Sequence, residues 1–190
     1  MKSDIRPSWL LGLVAMALAM VVPLAVRIAL GPPGKEVVRV DANGESRRFT
    51  LAALGRLPGL TRQGEVQNQF GNWRDAGVYR GPFVRELVAG LPYDELLVEA
   101  QDGYAATISR ERVEDDAYPM ILATSCDGVS VPEWEDGPRI VVLPESGRVS
   151  NAEYGVVSAG STWVKNVARI VPRRRGTEIL DDEPPAESEP

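Results

Sequence analysis

Histidine is absent from all 190 residues, and cysteine occurs once, as Cys126. Without an imidazole the chain cannot assemble a Ser-His-Asp triad, ligate haem through histidine or build a histidine-based zinc site. A single cysteine forms no internal disulfide and cannot hold an iron–sulfur cluster alone. Positive charge is also short: 21 Lys and Arg stand against 27 Asp and Glu, a net charge of -6. That balance lacks the basic footprint of a nucleic-acid binder, so no nucleic-acid partner is expected. Part of the acidity is local. From Arg173 onward three arginines meet six acids, so residues 173–190 supply -3 of the -6 and the rest is only mildly acidic.

A long apolar run is present. Trp9 to Val26 is free of charge, and with Arg27 to Leu30 the stretch covers residues 9–30. As a helix at about 1.5 Å per residue it would be about 33 Å long, enough for a hydrocarbon core of about 30 Å. Arg27 falls where a long side chain snorkels to the interface. A cleaved signal peptide is the rival reading. The run exceeds the roughly 7–15 residues of a signal core, and the nearest small-residue site, Ala29-Leu30-Gly31, puts Pro32 straight after the cut. The expectation is therefore an uncleaved single-pass anchor after a short tail (1–8). Lys2 and Arg6 precede the run, while Arg27, Lys35 and Arg39 lie at or just past its far end, so the positive-inside count does not set the orientation. The tail before the run is only eight residues and large domains translocate regardless of charge, so the domain is expected on the extracytoplasmic side.

Residues 31–35 read as a linker from their Gly-Pro-Pro-Gly start. A domain is expected over 36–172, a length that supports its own core. Val37–Val40, the Asn43-Gly44 turn and Arg47–Phe49 read as a hairpin, with Thr50 capping a short helix over Leu51–Leu54. Leu60–Gln67 reads as a strand. Pro82 suits the first turn of a helix over FVRELVAG, with Phe83, Leu87 and Val88 on one face and Gly90 as its stop. Glu95–Ala100 and Tyr104–Ile108 read as a hairpin about Asp102-Gly103, followed by a Ser109-capped turn. Strands are then expected over Met120–Ser125, ending at Asp127-Gly128, over Ile140–Leu143, and in a closing segment, Trp163–Val171. Short helices and many strands predict an α+β class with strand-rich mixed sheets. Residues 173–190, poor in apolar side chains, are expected to stay disordered.

Three stretches carry a family likeness: Gln69–Arg74 (QFGNWR) with Gly77–Val88; Val98–Thr107; and Gly137–Leu143 with Trp163–Ile170. Their order and spacing resemble the oxidoreductase molybdopterin-binding domain, the fold of the sulfite oxidase family, and most of all its small stand-alone, membrane-attached members. The resemblance implies a molybdopterin pocket. It also exposes a departure. The family's Cys-Ala-Gly-Asn-x-Arg motif supplies a thiolate to molybdenum, and QFGNWR puts Gln69 at the cysteine position while Gly71, Asn72 and Arg74 match. An amide does not replace a thiolate as a soft ligand. Cys126 lies in a later segment, and the family's cofactor-binding histidine is missing.

The candidate pocket by this resemblance comprises Gln69, Asn72, Arg74 and Lys165. Arg74 offers a planar fork to a small anion, or a structural bond to loop carbonyls. Lys165 matches a lysine near the family's cofactor; alone it reads as a solvated strand residue. Trp73 and Phe70, beside Gly71, read as core, as does Cys126. Glu133, Glu135 and Asp136 read as a solvated acidic loop, because their spacing does not fit an EF-hand. The expected function is non-catalytic: a binding or accessory module at a membrane, without catalytic residues, metal or bound molybdopterin. Its expected partners are the membrane, a small anionic ligand and proteins of a membrane assembly. A molybdopterin oxidoreductase with an unusual site, and a purely structural subunit, are the alternatives.

Overall fold

The computed structural model describes residues 34–175. The expected anchor at 9–30 and most of the expected disordered tail lie outside them. Among the described residues no helix is long and apolar enough to cross a membrane.

The chain opens as a hairpin, β1 (Glu36–Ala42) and β2 (Glu45–Thr50). Asn43 and Gly44 both take positive φ at its turn, as a tight two-residue loop requires. The Thr50 hydroxyl accepts from the Ala53 amide at 3.2 Å and starts α1 (Leu51–Leu54). Next come β3 (Gly59–Gln67), β4 (Trp73–Pro82) and α2 (Val84–Leu87). A second hairpin, β5 (Glu95–Ala100) and β6 (Ala105–Ser109), leads to α3 (Arg110–Val113). Short strands follow: β7 (Met120–Ala123), β8 (Ser125–Cys126), β9 (Val129–Ser130), β10 (Arg139–Val142) and β11 (Arg148–Val149). The described chain ends with α4 (Asn151–Tyr154), a 3-10 turn (Ala159–Thr162) and β12 (Val167–Arg173).

One mixed sheet has the order β2-β1-β12-β5-β6, another β11-β3-β4-β8-β9, and β10 pairs with β7 between them in sequence. β1 runs parallel to β12, and β11 parallel to β3; the other pairings are antiparallel. The result is strand-rich mixed sheets with few, short helices. Alternation builds the core: Val38, Val40, Leu96, Val98 and Ile170 are buried on the first sheet, while β7 and β10 are buried on every residue. Strands wrapped on both faces read as continuous apolar runs, as MILA and IVV do.

Three differences from the sequence expectations have physical causes. Pro82 ends β4 rather than opening a helix: Phe83 is extended, its amide donates to the Pro58 carbonyl, and only Val84–Leu87 is helical. β4 is a strand outside the sequence expectations; it contains Gly77 and Gly81, a residue type that weakens a strand in isolation. There they are required for close approach, because a Cβ at Gly81 would lie 2.0 Å from the Leu122 carbonyl oxygen. The last strand passes the expected boundary at 172, since Arg173 pairs with Glu95 and the Asp94 carboxylate accepts from the Arg175 amide at 2.9 Å.

Candidate functional site

Gln69, Phe70, Gly71 and Asn72 form the turn between β3 and β4. Asn68, not Asn72, organises it. Its side-chain oxygen accepts from the amides of Phe70 (2.9 Å) and Asn72 (3.0 Å), and Gly71 supplies positive φ. Asn151 braces the turn from outside: its amide donates to the Gln67 side chain (2.9 Å), its own side-chain nitrogen to the Asn68 carbonyl (2.7 Å), and its side-chain oxygen accepts from Ala159 (2.8 Å). Gln69 and Asn72 are exposed. Phe70, expected in the core, is 77% exposed, because a tight turn at a sheet end has nothing to pack over it. Trp73 is half-buried, with the Arg148 guanidinium 4.1 Å over its ring.

Arg74 is exposed and has neither an ion pair nor a hydrogen bond among the described residues. Its neighbour Asp75 carries the chemistry that sequence reasoning missed. Held at φ 58, Asp75 presents its carboxylate to Arg139 at 2.6 Å and to Lys165 at 3.8 Å. Lys165 in turn pairs with Asp136 at 2.8 Å, and Asp136 reaches the far side of Arg139 at 3.9 Å. Two acids and two bases thus close a neutral ring. Arg139 is 3% exposed and lies over the Trp163 ring at 5.3 Å. Burial works against ionising Asp75, yet the hydrogen bond and charge of Arg139, with Lys165 and Arg74 beyond, hold its carboxyl below the usual range. The ring gathers residues from β4, β10 and the loops flanking β10 and β12. Only the Lys165 part of it was visible in advance.

Of the four candidates only Lys165 reaches the Asp75 carboxylate; Arg74 precedes Asp75 in the chain but stays unpaired among the described residues, and Gln69 and Asn72 lie in the adjoining turn. None of these four lines the groove between Thr50–Ala52 and Val131–Pro138, the cleft at Gly59–Thr61 and Arg80–Pro82, or the cleft at Cys126–Val129 and Glu133–Asp136. Cys126 lies outside that turn but close to the ring: it pairs with Tyr79, whose hydroxyl donates to the Asp75 carbonyl, and its sulfur faces Gly77, two residues along β4 from Asp75. It is half-buried against Gly77, where a Cβ would meet its sulfur at 2.7 Å. Burial first, and then the Asp127 carboxylate, push its thiol above the ordinary value. Alkylation by iodoacetamide is accordingly expected to be slow at neutral pH, with its midpoint shifted down in Asp127→Asn. Fast, pH-independent labelling would contradict this environment. Burial likewise pushes the Tyr79 phenol up.

The donor set is thus an exposed amide at Gln69, with the one thiol on β8 beside Gly77 rather than in the QFGNWR turn, and disfavoured as thiolate. Among the described residues no three His, Cys, Asp or Glu side chains converge to hold a metal ion. The residues present do not fit the thiolate-ligated molybdenum that the resemblance implies.

The architecture is a distant version of the sulfite-oxidase-like fold. Among solved structures, the sulfane dehydrogenase SoxCD from Paracoccus pantotrophus superposes with a TM-score of 0.50 at 20% identity, over 76% of this chain and 40% of that one. The chain therefore spans well under half of that neighbour, and the likeness is one of fold alone. No family model and no curated protein matches the sequence.

Proposed function

We propose that this protein is a membrane-anchored, non-catalytic binding or accessory module: a small relative of the molybdopterin-binding domain family that has lost the molybdenum-ligating cysteine. The segment 9–30 is its anchor, the domain stands on the extracytoplasmic side, and its work is contact with a small anion or with proteins of a membrane assembly. One observation carries the reading. The bases at the candidate pocket, Arg139 and Lys165, are already neutralised by Asp75 and Asp136, while Gln69 stands where a thiolate is needed.

What remains available at this end is Arg74 together with exposed Phe70. Val157, 86% exposed, lies on a second loop that Asn151 also ties down, through its carbonyl bond to the Val156 amide. An aromatic and an unpaired arginine are the residue types that dominate contact energies. An outward-pointing Phe70 favours a binding role over a purely structural one. The full chain, purified from its native membrane, is expected to resist an alkaline carbonate wash, and to carry neither stoichiometric molybdenum nor a fluorescent pterin released on denaturation. Stoichiometric molybdenum would overturn the non-catalytic reading, and release by carbonate would overturn the anchor.

A further inference from the structure

A groove of about 480 Å³ opens beside the loop that carries Asp136, and none of the four ring residues lines it. One wall is the start of the domain, Gly34 to Val37, with the β2–α1 corner at Thr50, Leu51 and Ala52. The other is the loop Val131–Pro138, which contributes Val131, Pro132, Trp134 and Pro138. Its volume is in the range of small-molecule sites, which are mostly apolar with a few polar groups. The backbone along its floor has little to offer a polar ligand: the Gln101 amide already donates to the Asn166 carbonyl (2.9 Å), and the Asn166 amide to the Asp136 carbonyl (3.2 Å). Glu36 at the rim is paired with Arg48 at 3.4 Å.

We propose that this groove seats an acyl chain of the phospholipid bilayer from which the protein emerges. The inference rests on the membrane-anchor reading above. Its particular ground is where the chain enters. The groove is lined by Gly34 and Lys35, within the linker 31–35, with only three residues between Gly34 and the apolar run 9–30. The four steps from residue 30 to Gly34 span at most about 14 Å when extended. The headgroup layer on each side of the hydrocarbon is about 5–7 Å thick. The mouth is therefore tethered within reach of the lipid tails. Lys35 stands at the rim, where an ammonium meets lipid phosphate while its stem lies along apolar surface. Leu51, exposed at the same rim, gains a buried position only if something apolar covers it.

Trp134 makes the groove readable by fluorescence. The full chain carrying Trp9→Phe, which removes the tryptophan of the apolar run, is reconstituted into vesicles of phosphatidylcholine and phosphatidylglycerol brominated on the acyl chains. The Trp134 contribution is the difference from the same chain with Trp134→Phe. It is expected to be quenched by the bromolipid, and the quenching is expected to disappear in Ala52→Phe, which fills the groove without adding a tryptophan. Equal quenching in Ala52→Phe would mean that Trp134 touches the bilayer from outside the groove, and would overturn the proposal. So would a Trp134 untouched by bromolipid, whether aqueous acrylamide reaches it (an open groove) or not (a groove closed by the chain's own residues 24–33). Flotation of the same samples separates the two readings: a chain that floats with the vesicles but shows no quenching refutes the groove alone, whereas one that fails to float refutes the anchor as well.

Discussion

Arg139→Met is expected to lower the unfolding free energy by about 3 kcal/mol, at the low end of the cost of breaking a buried ion pair. Methionine keeps the volume of the arginine stem over Trp163 but leaves the Asp75 carboxylate without its partner at 2.6 Å. The low end is chosen for two reasons. Asp75 is 31% exposed and keeps Lys165 at 3.8 Å, and Arg139 Nε has no partner in the wild type, so the pair is already imperfectly satisfied. Urea unfolding checks this as a lower midpoint at unchanged slope. The double variant Asp75→Asn/Arg139→Met is expected to be more stable than Arg139→Met alone, because no uncompensated charge remains and asparagine tolerates the left-handed backbone at position 75. A loss below about 1 kcal/mol in the single variant would contradict a buried pair.

The same pair gives the protein an acid limb. The folded-state pKa of Asp75 is held below its ordinary value of 3.8. Its contribution to stability is therefore fully present above that value and is lost as pH falls through the folded pKa. Asp75→Asn is expected to be less stable than wild type at neutral pH, with the gap narrowing as the pH drops below about 4. A gap that is constant from neutral pH to acid would assign the difference to something other than this carboxylate.

Gly81→Ala is expected to cost about 3 kcal/mol or more, the upper range for overpacking. The added methyl would lie 2.0 Å from the Leu122 oxygen, 2.7 Å from its carbonyl carbon and 2.8 Å from the Ala123 Cα. All three are backbone atoms of β7, so no rotamer change relieves the clash, and β4 must move off the strand that crosses it. For a domain of this size the melting temperature should fall by roughly 10–15 °C. Gly103→Ala is the control. It sits at φ 88 with nothing within 4 Å of the new methyl, so it pays only backbone strain, about 1 kcal/mol. Equal losses in the two variants would contradict the close approach of β4 to β7 at Gly81.

The sequence alone determined what local chemistry dictates. Asn43-Gly44 made its hairpin because few other residue pairs accept positive φ at both positions; at Asp102-Gly103 the glycine takes positive φ and the Asp102 carboxylate accepts from the Tyr104 amide; and Thr50 capped the helix it precedes. The absence of histidine and the amide at Gln69 settled which donors exist before any contact was known. Tertiary structure decided whatever depended on distant neighbours. β4 is a strand because β7 and β8 press on glycines that in isolation signal a break. Phe70 is outside because a sheet end leaves it uncovered, although its hydrophobicity argued for the core. The ring of Asp75, Asp136, Arg139 and Lys165 spans separations of up to ninety residues, and its members have no periodicity or motif in common. Charge pairing of that kind follows from which loops the sheets bring together, so it emerges only when the chain has closed on itself.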